Sequence, residues 1–99
     1  MRSTQRAKVD ALLERNARNP VLLDLRELSD ATDWFLIASG DSDTHARAIA
    51  DNVLERSRRH GERPSGVEGK GSASWILLDF IEPALGPQDV DEVAIQNTR

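Results

Sequence analysis

The chain has 99 residues, 38% of them hydrophobic and 30% charged, with a formal net charge of −4. This length predicts one small domain, 1–99, with one core, and the negative charge argues against broad, sequence-independent binding of nucleic acid. There is no cysteine, which excludes disulfides and thiolate metal sites and is compatible with a cytoplasmic protein. No apolar run approaches the roughly 20 residues of a membrane span, and the N-terminal residues do not form a secretory signal.

The first half of the chain predicts a helix followed by two strands. Apolar residues recur at helical spacing over 4–18, and Asn19-Pro20 ends this helix. Residues 21–28 alternate in the way that a strand does. Residues 34–39 are almost continuously apolar, which is typical of a central strand buried on both faces.

The second half opens with the strongest helix, about 43–60, which Ser42 can cap. A strand, a helix and a further strand joined by a right-handed crossover form a parallel pair, so 34–39 is expected beside a short strand at 64–68. A loop rich in Gly and Ser then permits a hairpin into a strand at 75–80. The predicted fold is a small α/β domain in which helices flank a mixed sheet.

The strand at 75–80 has two faces of different chemistry. One face is wholly apolar and consists of Ile76, Leu78 and Phe80. The other face mixes apolar and acidic side chains and consists of Trp75, Leu77 and Asp79. An apolar patch with an acidic edge is typical of a protein-binding surface. The alternative is a strand covered by helices on both faces, with Asp79 at the rim.

The tail, 81–99, is the least regular part of the chain. Prolines and a glycine interrupt residues 81–91, which are predicted to be a loop. A short edge strand is predicted at about 92–96, with Val93 and Ile95 turned inward. Such a strand buries little apolar surface against the entropy of ordering the tail. The tail is therefore expected to be the least protected part of the domain in amide exchange.

Several motifs lie in register along most of the chain. They include Asp33-Trp34-Phe35-Leu36-Ile37-Ala38-Ser39-Gly40, Gly66-Val67-Glu68-Gly69 and Trp75-Ile76-Leu77-Leu78-Asp79-Phe80. In this order and at this spacing they resemble the Iojap family, the ribosomal silencing factors, over about residues 5–80. Family members continue almost at once into an apolar strand that contains a His, whereas no His and no aromatic residue follow Phe80 here. The family's last strand is therefore either replaced by 92–96 or missing.

The resemblance implies a fold like the nucleotidyltransferase core without its catalytic residues. It also implies a non-enzymatic, cytoplasmic protein, without a cofactor, that docks on the large ribosomal subunit at ribosomal protein fourteen on the intersubunit face. There it would block joining of the small subunit and repress translation when nutrients are scarce. The divergent tail leaves another interpretation open, a rearranged family member that folds but does not silence.

The candidate partner-binding residues belong to the strand at 75–80 and the turn before it: Trp75, Leu77, Asp79, Phe80 and Glu68. Trp75 and Leu77 are expected to supply the buried anchor, since tryptophan is enriched in binding hot spots. Asp79 and Glu68 are expected to meet Lys or Arg of a basic ribosomal protein. The alternative is that Trp75 packs under the tail. An unpaired sheet edge near residue 80 also favours self-pairing, so a homodimer is a further expected assembly.

Two charged clusters have weaker functional interpretations. A nucleotidyltransferase-like metal site would use three carboxylates, Asp41, Asp43 and Asp79. Their spacing does not match that enzyme pattern, and an acidic helix start is the preferred interpretation of the first two. The candidate contacts for ribosomal RNA phosphates are Arg58, Arg59 and Arg63. A run of this kind is usually a solvated helix end.

Histidine and serine residues give no sign of a catalytic or metal site. His45 and His60 are too few for a metal cluster and are expected to be solvated at opposite ends of the second helix. Ser39 and Ser42 have no neighbouring His-Asp pair that would support nucleophilic catalysis.

Overall fold

The computed structural model describes residues 3–30, 32–81 and 90–98. Its elements in chain order are α1 (Ser3–Glu14), β1 (Arg18–Asp24), β2 (Trp34–Gly40), α2 (Asp43–Arg59), β3 (Pro64–Glu68), β4 (Trp75–Ile81) and β5 (Val90–Asn97). The five strands form one sheet in the order β1-β2-β5-β4-β3. β2 and β5 run parallel and the other neighbouring pairs run antiparallel, which confirms the predicted mixed sheet. No helix in these ranges is long and apolar enough to cross a membrane.

Both helices lie on one face of the sheet. α1 packs against α2, and α2 crosses β2, β5 and β4. The buried core between the two layers includes Leu12, Leu36, Ile49, Val53, Ile76, Leu78, Val93 and Ile95. No described element packs on the opposite face of the sheet, which we call the open face. Phe35 and Ile37 lie on the open face and are only partly buried, so the prediction that their strand is buried on both faces is wrong.

Helix α2 begins and ends close to the predicted positions. The Ser42 hydroxyl accepts the His45 backbone N–H at 3.0 Å, which satisfies one of the unpaired donors of the first turn. Gly61 follows the C-terminal cap with a φ of +79°, a conformation that glycine adopts without steric cost. The helix therefore ends where the sequence supplies a glycine that can adopt this conformation.

Helix α1 is shorter than predicted and ends at Glu14 rather than near residue 18. Asn16 adopts a left-handed φ of +55°, and the Ala17 N–H returns to the Leu12 carbonyl at 3.0 Å. Asparagine is the residue other than glycine that most readily takes this role at a helix end. The chain is then free to start β1 at Arg18, three residues before the predicted strand.

Strand β5 lies inside the sheet, and its predicted position at an edge is wrong. It pairs with β2 on one side and with β4 on the other, so the parallel partner of β2 is β5 rather than β3. Val93 and Ile95 turn inward as predicted and are fully buried. Because β4 is paired on both sides, the unpaired edge predicted near residue 80 does not exist, and the sheet edges are β1 and β3. Residues 82–89, within the predicted loop, lie outside the described residues.

A buried ion cluster joins α1 to β5. The Lys8 ammonium lies 2.5 Å from Oε1 of Glu62 and 3.3 Å from Oδ2 of Asp91, and all three side chains are buried. Gln5 donates through Nε2 to the Asp91 carboxylate at 3.1 Å, and the Lys8 ammonium lies 4.5 Å from the centre of the Phe80 ring. A buried charge is tolerated only when it is paired and hydrogen-bonded, so this cluster depends on β5 being in place.

The first residue of β5 is also fastened to the loop before β2. The Val90 N–H donates to Oδ2 of Asp33 at 2.7 Å, and the Asp33 N–H donates to the Val90 carbonyl at 2.9 Å. Burial on the inward side and bonds at its start make β5 part of the core. This arrangement favours protection of residues 90–97 in amide exchange, and the low protection expected for the tail stays a prediction.

Candidate functional site

The register of the sheet brings side chains from all five strands together on the open face. One row across the sheet is apolar: Leu77, Ala94, Ile37 and Val21. The next row changes from acidic to apolar: Asp79, Glu92, Phe35 and Leu23. Trp75 lies one row further, opposite Gln96 on β5, and Glu68 of β3 lies opposite Leu77.

The structure places four of the five candidate partner-binding residues on this face. Trp75 is 48% exposed, and Leu77 and Asp79 are partly exposed beside it. Glu68 is exposed at the end of β3. Within the described ranges nothing packs over Trp75, so its burial under the tail is not observed. These side chains are therefore accessible from one direction.

Phe80 is a correction to the candidate set. Its side chain is 0% exposed and lies on the helix side of the sheet, against the Lys8 ammonium. Side chains alternate between the two faces of a strand, so Phe80 shares the inward face with Ile76 and Leu78. It supports the fold of β4 and cannot touch a partner.

An acidic cluster borders the apolar rows of the open face. Glu92 lies directly opposite Asp79, and Oε2 of Glu92 accepts the Thr32 hydroxyl at 3.1 Å. Burial raises the pKa of the Glu92 carboxyl above its usual value, and the neighbouring charges of Asp79 and Glu68 raise it further, against the hydrogen bond from Thr32. The ionised form of Glu92 is thus disfavoured in the free protein, and a cation seated beside it would favour that form.

The sequence does not predict the part of the open face that β5 and β2 supply. The sequence predicts an edge strand at 92–96, and no local pattern links Glu92 or Ala94 to the strand at 75–80. Phe35 and Ile37 belong to the strand that the sequence predicts to be buried on both faces. Their strict alternation with the buried Leu36 and Ala38 is the structural pattern of a strand with one open side.

The three carboxylates of the enzymatic alternative do not form one site. Asp43 begins α2, and its Oδ1 accepts the Asn97 side-chain N–H at 2.5 Å. Asp79 lies opposite Glu92, whereas Gly40, which precedes Asp41, lies opposite Asn97. Glu92 and Asn97 are five residues apart on β5, which separates Asp79 from the start of the Asp41 loop by about 17 Å. In the described part of the chain no three His, Asp or Glu side chains are grouped to hold a metal ion.

The sequence predicts that His45 is a solvated helix residue, and this prediction is wrong. Its Nδ1 accepts the Asp41 backbone N–H at 2.9 Å, and its Nε2 lies 2.6 Å from the Arg15 carbonyl oxygen. Nδ1 is therefore the acceptor and Nε2 carries the proton. The ring joins the start of α2 to the residue after α1, which is a structural role. His60 is exposed, as predicted.

The basic cluster at the end of α2 is largely paired within the protein. Arg58 binds Glu55 through Nε at 3.1 Å and through Nη2 at 2.7 Å, and Arg59 reaches the same carboxylate at 3.4 Å. The Arg58 hydrogen bond lowers the pKa of the Glu55 carboxyl. Arg63 is exposed before β3. Contact of Arg58, Arg59 and Arg63 with RNA stays a prediction, and the pairing weakens its basis.

The fold and the open face define a class: a small two-layer α/β protein that leaves one surface of its sheet uncovered. The model of the family described as "Ribosomal silencing factor during starvation" (RsfS) matches residues 1–85, and the chain belongs to this family. A ribosomal silencing factor of Bacillus subtilis is 32% identical over 84 residues, which cover 85% of this chain and 71% of that protein. A second, from Haemophilus influenzae, is 37% identical over 60 residues, covering 61% and 59% of the two chains.

Solved structures confirm the fold. A protein from Chromobacterium violaceum superposes with a TM-score of 0.81 at 22% identity, covering 95% of this chain and 72% of its own. A protein from Bacillus halodurans superposes with a TM-score of 0.77 at 26% identity, covering 94% and 79%. The family match ends at residue 85, whereas these structural matches extend over almost the whole chain.

Proposed function

We propose that this protein is a non-enzymatic, cytoplasmic silencing factor that docks through its open face on the large ribosomal subunit. The docking site is ribosomal protein fourteen on the intersubunit face. The bound factor blocks joining of the small subunit and so represses translation. Family membership supports the ribosomal role, and the observation that carries the docking surface is the uncovered apolar sheet face with carboxylates at its border.

The chemistry of the open face fits a basic protein partner. Its apolar rows supply area that gains free energy when water is removed, and the half-exposed indole of Trp75 is a suitable anchor. Asp79 and Glu92 stand side by side across two strands. A Lys or Arg from the partner would relieve their repulsion, which favours encounter with a basic surface and fixes the register of docking.

Silencing by this route needs occupancy and no chemical step. A domain seated on the intersubunit face excludes the small subunit by its volume alone. The extent of repression therefore follows the affinity for the large subunit, and a change that weakens docking should weaken repression in proportion.

Cosedimentation with purified large subunits tests the docking surface. Trp75→Ala should lose about 2 kcal/mol of binding free energy, a roughly 30-fold loss of affinity, with an unchanged far-UV circular dichroism spectrum. Leu13→Ala is the matched control, because Leu13 is also apolar and 54% exposed but lies on α1. Equal pelleting of both variants and the wild type would show that docking uses another surface.

A subunit-joining assay tests the consequence of docking. Light scattering of mixed subunits should fall as the wild-type protein is added, and Trp75→Ala should shift that titration to higher concentration. A folded wild-type protein that does not pellet with large subunits is the rearranged family member that folds but does not silence. Normal binding that leaves subunit joining intact would refute the proposed mechanism.

A further inference from the structure

The loop between β3 and β4, residues 69–74, is bonded to the helix layer. Arg47 of α2 donates through Nε to the Lys70 carbonyl at 2.8 Å and through Nη2 to the Gly71 carbonyl at 2.7 Å. The Lys70 ammonium in turn lies 2.6 Å from Oδ1 of Asp51, also on α2. A planar fork that binds two consecutive carbonyls fixes the orientation of the loop backbone as well as its distance.

The other contacts of this loop lead to Trp75. Ala73 is fully buried, and its N–H donates to the Gly69 carbonyl at 2.8 Å. A Cβ built on Gly69 would lie 1.8 Å from the Trp75 carbonyl oxygen, so the two ends of the loop touch. The Ser74 carbonyl accepts the Asn97 N–H at 3.0 Å. A displacement of the loop is therefore passed on to the first residue of β4.

Trp75 depends on the loop because the sheet holds it on one side only. It pairs with Gln96 of β5, but the ladder between β3 and β4 ends at Glu68 and Leu77, two residues short of it. On that side the support of the Trp75 backbone comes from the loop that Arg47 holds.

We propose that Arg47 is a positioning residue for the open face, which holds Trp75 in its docking orientation from the opposite side of the sheet. This inference rests on the proposed docking function. Arg47 lies in the helix layer and offers no side chain to the open face, so its effect on docking would pass entirely through the loop and Trp75.

The test uses a Trp34→Phe background, in which Trp75 is the single tryptophan because the chain has 2. Arg47→Ala should lower the fluorescence anisotropy of Trp75 in the free protein and raise its quenching by acrylamide. Affinity for large subunits should fall about tenfold, which corresponds to about 1.4 kcal/mol. Arg47→Lys should recover part of both effects, since an ammonium is a point charge and not a fork.

Arg56→Ala is the matched control, because it removes another arginine of α2 that bonds to Glu14 on α1 and not to the loop. It should leave the fluorescence of Trp75 and the affinity unchanged. In a Trp75→Ala background, Arg47→Ala should cause no further loss of docking, as expected when one residue acts through the other.

A loss of docking that persists in the Trp75→Ala background would overturn the proposal, and so would unchanged Trp75 fluorescence in the Arg47→Ala protein. If Trp75→Ala itself leaves docking unchanged, the proposed docking surface fails. The fluorescence of the free protein then still decides whether Arg47 holds Trp75 in place.

Discussion

Replacing Lys8 by Met would test how the last strand is held in the sheet. The Lys8 ammonium is buried between the carboxylates of Glu62, at 2.5 Å, and Asp91, at 3.3 Å. Met fills a similar volume but leaves both carboxylates buried without their cation. Removing one partner of a buried ion pair costs about 3–5 kcal/mol, which is a large share of the roughly 5–15 kcal/mol by which small domains are stable.

Urea unfolding followed by circular dichroism measures this loss, with the free energy of unfolding taken by linear extrapolation. Lys70→Met is the matched control, because Lys70 is the only other lysine in the chain. Its ammonium lies 2.6 Å from Asp51, but the two side chains are 41% and 60% exposed. Exposed pairs contribute about 0–1 kcal/mol, so the same chemical change should cost far less there.

A second variant keeps the test decisive if Lys8→Met does not fold. Glu62→Gln leaves Lys8 paired with Asp91, so it should be less destabilising than Lys8→Met and should fold. Losses within about 1 kcal/mol of each other for Lys8→Met and Lys70→Met would refute the reasoning. They would mean that water reaches the cluster and that the cluster does not fasten β5.

Three further predictions follow from single residues. Glu92→Gln should raise stability at neutral pH by about 0.2–1 kcal/mol, the scale of cross-strand charge pairs. The pKa of the Glu92 carboxyl is raised in the folded state, so its ionisation costs stability as pH rises through that pKa. The variant and the wild type should therefore converge in melting temperature as pH falls below 4.5, the ordinary pKa of a glutamate carboxyl. Gly69→Ala should lower the free energy of unfolding by about 1–3 kcal/mol, because φ is +86° and the added Cβ meets the Trp75 carbonyl. Gly71→Ala, which has open space around it, should leave the stability almost unchanged in the same thermal melts. The hydrogen bond from the Arg26 side chain lowers the pKa of Asp24 to about 2, so this interaction is complete above pH 3.8 and is lost as pH falls through about 2. Arg26→Gln should return the pKa of Asp24 towards its ordinary value of 3.8 in a carboxyl NMR titration, and an unchanged midpoint would contradict the assignment.

Local chemistry made several elements predictable. The position of α2 follows from the cap at Ser42 and the stop at Gly61, and the inward face of β4 follows from the alternation of Ile76, Leu78 and Phe80. The same alternation removes Phe80 from the surface, so including it among the partner contacts contradicted the pattern itself. Gly69 takes a positive φ, whereas Gly66 lies within β3, where a Cβ would meet Asp79 at 3.2 Å.

Long-range pairing was not predictable from the same patterns. A strand with two inward side chains has the same sequence pattern at an edge and in the centre of a sheet. Its neighbours are set by residues far away in the chain. The parallel match of β5 with β2 and the arrival of Glu92 beside Asp79 depend on that choice. The position of Lys8 does have a local signal. Lys8 lies three residues after Gln5 and four before Leu12, so all three share one face of the helix, and a charge at Lys8 faces the core.

The central place of β5 has a consequence for the time course of folding. β5, the last of the described strands, completes the middle of the sheet, so the hairpins β1–β2 and β3–β4 can form early but can be joined only afterwards. Closing such distant contacts is slow relative to hairpin formation. Until β5 inserts, β2 and β4 each present an unpaired edge beside apolar side chains, which is the state most open to association with other chains. We therefore expect the insertion of β5 to be the step that commits the molecule to its native sheet.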